Sequence, residues 1–211
     1  PPLGRLQESD INPVGVIKKS FSCNPAVTRK GEPAPMEILK RLHQYDRDLF
    51  ARVFRQGERR MVIPMARALS RSGDGYLHLL LPLLLMALQL PGLHGFVTLL
   101  VLALLIERIM YWCLKNFLKR PRPQDALPGL RSLVVASDQF SFPSGHSSGA
   151  FLLATCLVIV YGGPVTAMYL WASGVAISRV ILGVHFPGDT LAGAIMGSGV
   201  ALLCATQLGL L

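Results

Sequence analysis

The chain has 211 residues, of which 51% are hydrophobic, and its mean hydropathy of +0.45 is too high for an ordinary soluble domain of this size. Its formal net charge of +9 would suggest nucleic acid binding by a soluble protein. Membrane proteins, however, gather Lys and Arg at their cytoplasmic edge and against anionic lipid. We therefore expect an integral membrane protein in contact with the lipid bilayer, and no nucleic acid partner.

The first part of the chain divides into two predicted regions. Residues 1–35 mix Pro, Gly, Ser, Asn and scattered charge without any sustained hydrophobic period, which predicts a mobile N-terminal arm. Over residues 36–75, apolar residues recur at helical spacing opposite basic ones, which predicts amphipathic helices. Such helices lie in the membrane interface or pack one face on a helix bundle, and the sequence leaves both alternatives open.

The remaining residues, 76–211, form the predicted transmembrane domain. A helix needs about 17 to 25 apolar residues to cross a bilayer. Candidate spans lie at residues 77–95, 96–114, 147–163, 164–184 and 189–211. The predicted fold is therefore all-α, a polytopic membrane bundle of about five transmembrane helices preceded by the amphipathic interfacial region.

Charged residues cluster where the second span ends. Glu107 and Arg108 are adjacent, so we do not expect them to share a helix face, and each is expected to snorkel or to find a structural partner. Lys115 and Arg122 follow, the latter between two prolines. They are either anchors at the membrane edge or anion ligands whose donors the prolines preorganise, and both interpretations stay open.

A second polar motif, Pro143-Ser144-Gly145-His146, opens the third span. Ser144 is a good helix N-cap, and the backbone N–H groups after it face out of the helix end, where an anion binds readily. Gly145 lets the backbone approach that anion closely, and His146 can donate a proton to a departing oxygen. Cationic groups expected on the same face favour a phosphate site over a purely structural cap.

A third polar motif separates the fourth and fifth spans. His185 is suited to attack phosphorus if a partner on its other ring nitrogen holds one tautomer, and Asp189 is placed to be that partner. Pro187 and Gly188 interrupt the helix, so Asp189 is expected in the first turn of the last span. Arg179 lies about 9 Å before His185 along a helix, so an anion can sit between them.

The sequence resembles the type 2 phosphatidic acid phosphatase superfamily, which shares its site with vanadium haloperoxidases. Three motifs that occur in order carry the resemblance: Lys115-x6-Arg122-Pro123, Pro143-Ser144-Gly145-His146 and Ser178-Arg179-x5-His185. Gly183 and Asp189 also fit the pattern of that family. The resemblance covers roughly residues 70–200 and implies a PAP2/haloperoxidase-like helical core.

The resemblance also implies a role for each candidate site residue. His185 would be the nucleophile that forms a phosphohistidine, Asp189 would orient and charge it, and His146 would be the acid for the leaving group. The phosphoryl oxygens would be bound by Lys115, Arg122, Ser144, Gly145 and Arg179. No metal and no other cofactor is implied, since cations and oriented N–H groups can neutralise phosphoryl charge without Mg²⁺.

Three functions are compatible with these residues. The first is a metal-independent lipid phosphatase acting on phosphatidic acid, phosphatidylglycerol phosphate or a polyprenyl diphosphate. The second is a glycolipid or lipid A phosphatase, or a phosphotransferase that passes the phosphoryl group to an acceptor other than water. The third is a catalytically silent lipid-binding scaffold, against which the complete set of site residues argues.

The basic residues predict the orientation of the chain in a bacterial inner membrane. All 21 Lys and Arg lie at positions 1–75, at 108–131 or at Arg179, and five spans place these positions on or near one face. The positive-inside rule then puts the N-terminus and the active site in the cytoplasm, with the C-terminus on the far side.

Overall fold

The structure is a computed structural model that describes residues 34–57, 61–136 and 138–211. The arm predicted over residues 1–35 lies outside this range, apart from its last two residues. All regular structure in the described residues is helical, which confirms the all-α fold. The helices are α1 (Ala34–Gln56), α2 (Val62–Ser72), α3 (Tyr76–Ala87), α4 (Leu93–Leu118), α5 (Pro123–Ala126), α6 (Gly145–Tyr161), α7 (Met168–Ile181) and α8 (Pro187–Gln207).

Five apolar helices, α3, α4, α6, α7 and α8, occupy the positions of the five predicted spans. The stretches Leu93–Ala126, Gly163–Ile181 and Pro187–Gln207 are long and apolar enough to cross a membrane, whereas α3 and α6 are shorter. Helix α6 packs on α4, α7 and α8 and is the central helix of the bundle. The chain is therefore an integral membrane protein with a helical transmembrane core.

Helices α6 and α8 run parallel in very close contact. A Cβ atom added at Gly197 would lie 2.1 Å from the carbonyl oxygen of Ser148, and one added at Gly193 would lie 2.5 Å from that of Ser144. Glycine allows this approach because it has no side chain in the interface. The N-terminal ends of the two helices also meet, since the Ser144 N–H donates to the Asp189 carbonyl at 3.0 Å.

Helices α2 and α3 run in the same direction and are separated by a break at residues 73–75. Ala66 of α2 packs against Leu182 where α7 turns into α8, which we call the polar end of the bundle. Leu85 of α3 belongs to the core cluster that α3 shares with α4. Gly75 has a φ of +100°, a left-handed conformation that favours glycine. Non-helical backbone inside a membrane bundle is tolerated where it lines a cavity, and the break does so here.

One face of α1 packs on the polar end of the bundle. Phe50 and Phe54 are buried with Phe186, and the Phe50 and Phe186 rings lie 5.4 Å apart. Burying one such side chain stabilises the fold by about 1.5–3 kcal/mol. Ile38 and Leu42 remain exposed on the outer face. The assignment of residues 36–75 to the membrane interface stays a prediction.

The close contact between α6 and α8 predicts opposite effects for two neighbouring glycines. Gly197→Ala should lower the free energy of unfolding by about 1–3 kcal/mol, because its Cβ would overlap the α6 backbone. Gly199→Ala is the matched control, since a Cβ there meets nothing within 4 Å. It should be neutral or should stabilise the helix by up to about 1 kcal/mol. Thermal unfolding of both variants in detergent micelles checks this, and equal shifts would contradict it.

Candidate active site

A cavity of about 580 Å³ lies where the break between α2 and α3 faces α4, α6 and the turn between α7 and α8. Its volume is within the usual range for small-molecule sites. The wall carries three histidines, two arginines and two aspartates: His78, His146, His185, Arg108, Arg179, Asp74 and Asp138. Such a concentration of ionisable groups within a membrane bundle indicates a functional site.

His185 lies in the turn between α7 and α8, and Asp189 lies in the first turn of α8. Gly183, with a φ of +77°, lets the chain turn at this point. The His185 Nδ1 atom is 3.8 Å from Oδ2 of Asp189, which is longer than a hydrogen bond. Nδ1 has no other partner among the described residues. Because Nδ1 faces Asp189 and His185 lines the cavity, Nε2 is the nitrogen available to a ligand.

Burial lowers the pKa of His185 from its usual value to about 4. Removing the ring from water disfavours its charged form. Asp189 opposes this shift, whereas the positive charges of Arg179 and Arg122 add to it. The imidazole is therefore neutral near pH 7 and keeps the lone pair that nucleophilic attack requires.

Arg120 holds the carboxylate behind His185. Its Nη1 donates to Oδ1 of Asp189 at 2.6 Å, and the Phe186 N–H donates to Oδ2 at 2.8 Å. Arg120 Nη2 donates to Asp46 of α1 at 2.6 Å, and the Arg120 guanidinium lies 4.4 Å from the centre of the Phe186 ring. Asp46 also accepts the Gly188 N–H at 2.7 Å. One arginine thus joins α1, the loop after α4 and the first turn of α8.

A second histidine–aspartate pair lies on another wall of the cavity. His146 is in the first turn of α6, and its Nε2 is 2.7 Å from Oδ1 of Asp74 in the break between α2 and α3. The preceding residue, Gly145, faces the ring of Tyr111, and an added Cβ would lie 3.0 Å from that ring. The N-terminal end of α6 therefore meets the cavity through a glycine and a histidine of fixed orientation.

Lys115 and Arg122 do not line the cavity themselves. Both bind Asp138, which does. Lys115 Nζ and Arg122 Nη2 donate to different oxygens of this carboxylate. The hydroxyl of Tyr111 also donates to it, at 2.5 Å. Arg122 Nη1 donates to the Val184 carbonyl at 2.7 Å, next to the turn residue predicted as nucleophile. The Asp138 carboxylate thus lies between these two cations, which are the predicted phosphate ligands.

Ser144 and Arg179 occupy different positions relative to the cavity. Ser144 is fully buried, and its hydroxyl caps α6 by accepting from the N–H and, at 3.1 Å, from the hydroxyl of Ser147. Arg179 lines the cavity, and its Nη1 donates to the Ser70 hydroxyl of α2 at 2.6 Å. The predicted site residues on the wall are Gly145, His146, Arg179 and His185, and those behind it are Lys115, Arg122, Ser144 and Asp189.

Glu107 and Arg108 each have a structural partner, and they also pair with each other although they do not share a helix face. Arg108 Nε and Nη2 donate to the two carboxylate oxygens of Glu107 at 2.5 and 2.7 Å. The long, flexible arginine side chain reaches back to its neighbour although the Cα–Cβ bonds of the two residues point in different directions. Glu107 is fully buried and also accepts the Ser148 hydroxyl of α6.

Sequence reasoning missed three acidic residues and one arginine that organise the site. Asp74 lies between two glycines, and this charged turn beside an apolar run was the available signal. Asp138 lies in a stretch without a helical period, and Arg120 stands among other basic residues, so neither gave a specific signal. Asp46 gave no signal beyond its place on an amphipathic helix. Within the described residues, no group of three or more His, Cys, Asp or Glu side chains could hold a metal ion.

Comparison with known proteins gives concordant matches. The family model described as the PAP2 superfamily matches residues 96–210. The "Probable lipid phosphate phosphatase beta" of Arabidopsis thaliana is 31% identical over 149 residues, which cover 57% of this chain and 70% of that protein. The "Decaprenylphosphoryl-5-phosphoribose phosphatase" of Mycobacterium tuberculosis is 29% identical over 151 residues, which cover 67% of this chain and 78% of that protein.

A solved structure shows the same fold. The crystal structure of Aquifex aeolicus LpxE superposes with a TM-score of 0.64 at 26% sequence identity, over 75% of this chain and 93% of that chain. The likeness therefore includes nearly the whole of that protein.

The position of Arg120 predicts a loss of turnover when its charge is removed. Arg120→Gln should lower kcat roughly 10-fold to 100-fold, because Asp189, the residue behind the predicted nucleophile His185, would lose the partner that orients it. Arg120→Lys should restore only part of the rate, because an ammonium group cannot bridge two carboxylates in the same fixed geometry. Steady-state phosphate release from a lipid phosphate measures both effects.

Two matched variants separate positioning from stability. Asp46→Asn should mainly lower the thermal midpoint, because it loosens α1 but keeps the bond between Arg120 and Asp189. Lys119→Gln removes an exposed charge next to Arg120 and should change neither kcat nor the thermal midpoint. An Arg120→Gln variant with wild-type kcat would refute the positioning role.

Proposed function

We propose, since this chain belongs to the PAP2 superfamily, that it is a metal-independent lipid phosphatase that works through a phosphohistidine intermediate. It is a phosphoric ester hydrolase embedded in a membrane. One observation carries the proposed mechanism: the buried His185 turns Nδ1 to Asp189 and lines a cavity that also holds His146. A nucleophile and a separate proton donor on one cavity are the two parts that phosphoryl transfer through an enzyme nucleophile requires.

The phosphoryl group would bind between Arg179 and the N-terminal end of α6. The guanidinium and the N–H groups at that helix end both favour negative charge. Lys115 and Arg122 would reach the same oxygens once the phosphoryl group takes the position beside them that the Asp138 carboxylate occupies. The developing equatorial charge is then neutralised by cations fixed in place before the reaction.

In the first step Nε2 of His185 attacks phosphorus and the bond from phosphorus to the lipid oxygen breaks. His146 donates a proton to that oxygen, while Asp189 stabilises the positive charge on the phosphorylated ring through Nδ1–H. In the second step His146 takes a proton from water, the water oxygen attacks phosphorus, and the bond from nitrogen to phosphorus breaks. Inorganic phosphate leaves and both histidines return to their starting forms.

The surroundings of the cavity support a lipid as the substrate. Leu79 and Leu80 of α3 and Leu105 and Ile109 of α4 are exposed on the helices that border the cavity. An acyl or prenyl tail can lie against such apolar faces while its phosphate enters the polar cavity. We propose phosphatidic acid, phosphatidylglycerol phosphate or a polyprenyl diphosphate, and the name of the M. tuberculosis relative supports a prenyl chain.

The assignment of the two histidines predicts different responses to the leaving group. His185→Ala should lower turnover by roughly three orders of magnitude or more with every substrate, because no nucleophile remains. His146→Ala should cost about 10²–10⁴-fold with an alkyl phosphate. It should cost much less with p-nitrophenyl phosphate, whose leaving group needs no proton. Phosphate release and acid-quenched labelling with ³²P-substrate measure these effects.

Two outcomes would contradict the assignment. If the ³²P label were trapped on His146 instead of His185, His146 would be the nucleophile and the assignment of the two roles would be wrong. Loss of wild-type activity in EDTA that returns with a divalent cation would contradict metal independence.

We also propose that the active site faces the cytoplasm of a bacterial inner membrane. The basic residues of α1 and α2 lie at the same end of the bundle as the cavity. The linkers at the other end, residues 88–92 and 162–167, carry no formal charge. This asymmetry supports a cytoplasmic N-terminus by the positive-inside rule.

Cysteine labelling checks this orientation. In a background without native cysteines, His94→Cys and Asp125→Cys place one exposed thiol at each end of the bundle. A membrane-impermeant maleimide should label position 94 in intact cells, and position 125 only after the membrane is opened. The reverse pattern would place the site on the outer face.

A further inference from the structure

Arg108 is a charged residue on an apolar helix that the proposed mechanism does not use. It lies on α4, ten residues before the helix ends, and it lines the cavity together with Arg179. Its side chain is 51% exposed, so the guanidinium is open to the cavity instead of being enclosed in the core. Charged groups at such positions are costly and are usually retained for a ligand or a pathway.

The guanidinium of Arg108 is held in a fixed orientation. Nε and Nη2 bind both oxygens of Glu107, and Glu107 is anchored by the Ser148 hydroxyl on α6. The face of the guanidinium lies 4.6 Å from the centre of the Tyr111 ring. Among the described residues, Nη1 has no hydrogen-bond partner. A rigid guanidinium with a free N–H edge on a cavity is well suited to bind an oxyanion.

The spacing along α4 places this group beyond the phosphoryl site. Lys115, Tyr111 and Arg108 follow one another on one helix face, and Lys115 Nζ is 2.5 Å from the Tyr111 hydroxyl. Arg108 is about 10 Å from Lys115 along the helix axis, on the side of the bilayer centre. An anion beside Arg108 would therefore lie between the phosphoryl group being transferred and the tail of the lipid.

We propose that Arg108 forms a second anion subsite, which binds the inner phosphoryl group of a lipid diphosphate. This inference rests on the proposed function and selects one of its substrate classes. Attack by His185 on the outer phosphorus breaks its bond to the bridging oxygen, and the electron pair leaves with the lipid monophosphate. That leaving group needs charge neutralisation more than a proton, and Arg108 supplies the charge. Water then releases phosphate from His185, so diphosphate and water give lipid monophosphate, hydrogen phosphate and one proton.

Two substrates that differ only in the inner phosphoryl group test this proposal. The purified full chain in detergent micelles is assayed with farnesyl diphosphate and with farnesyl monophosphate. The ratio of kcat/KM for diphosphate over monophosphate should fall roughly 10-fold to 100-fold in Arg108→Gln, as expected for the loss of a hydrogen bond to a charged group. Arg131→Gln, which removes an exposed charge away from the cavity, should keep the wild-type ratio.

Because Arg108→Gln leaves the Glu107 carboxylate buried and unpaired, a second variant guards against misfolding. The double variant Glu107→Gln/Arg108→Gln removes both charges and keeps an oxygen for the Ser148 hydroxyl, and it should show the same fall in the ratio. An unchanged ratio in the double variant, or an equal loss with both substrates, would overturn the subsite. If the wild type hydrolyses phosphatidic acid but neither farnesyl substrate, the subsite is overturned and the proposed function stands. If it hydrolyses none of the three, the proposed function itself fails.

Discussion

The bridge from Arg120 to Asp46 and Asp189 fixes the position of the carboxylate behind His185. Asp189 is fully buried, and an ionised carboxylate in such surroundings is tolerated only when donors satisfy its oxygens. Arg120 and the Phe186 N–H provide these donors, while Asp46 accepts from the other amino group of the guanidinium and fixes its orientation. The N-terminal amphipathic helix is therefore part of the support of the candidate site as well as a surface element.

Apart from Arg179, which donates to the Ser70 hydroxyl, the cations around the cavity have an acidic partner from another segment or from a neighbouring residue. Lys115 and Arg122 share Asp138, His146 contacts Asp74, and Arg108 binds Glu107. An apolar bundle with several unpaired cations would be unstable, because uncompensated charge in a low dielectric is costly. The internal anions stabilise the site, and in the mechanism proposed above an incoming phosphoryl group would exchange with Asp138 instead of meeting bare cations.

Much of the fold was readable from the sequence, because hydrophobic runs and turn residues act locally. The five apolar helices and the interruption before Asp189 are of this kind, since proline fits the first turn of a helix and α8 begins at Pro187. The roles of Asp46 and Asp74 were not readable, because their partners are far away in sequence: Gly188 bonds to a residue 142 positions earlier. The pairing of Glu107 with Arg108 was missed because helix-face rules describe Cβ directions and ignore the reach of a long side chain.

The interlocked backbones of α6 and α8 have a consequence for substrate size. Sliding either helix along the other would drive side chains into carbonyl oxygens, so the two helices behave as one rigid body that carries both His146 and Asp189. The opposite wall consists of α4 and the glycine-flanked break before α3, where backbone torsions can change at little steric cost. We therefore expect a bulkier lipid headgroup to be accommodated by rotation of the backbone at residues 73–75, so that selectivity for headgroup size would depend on this break and not on the reacting groups.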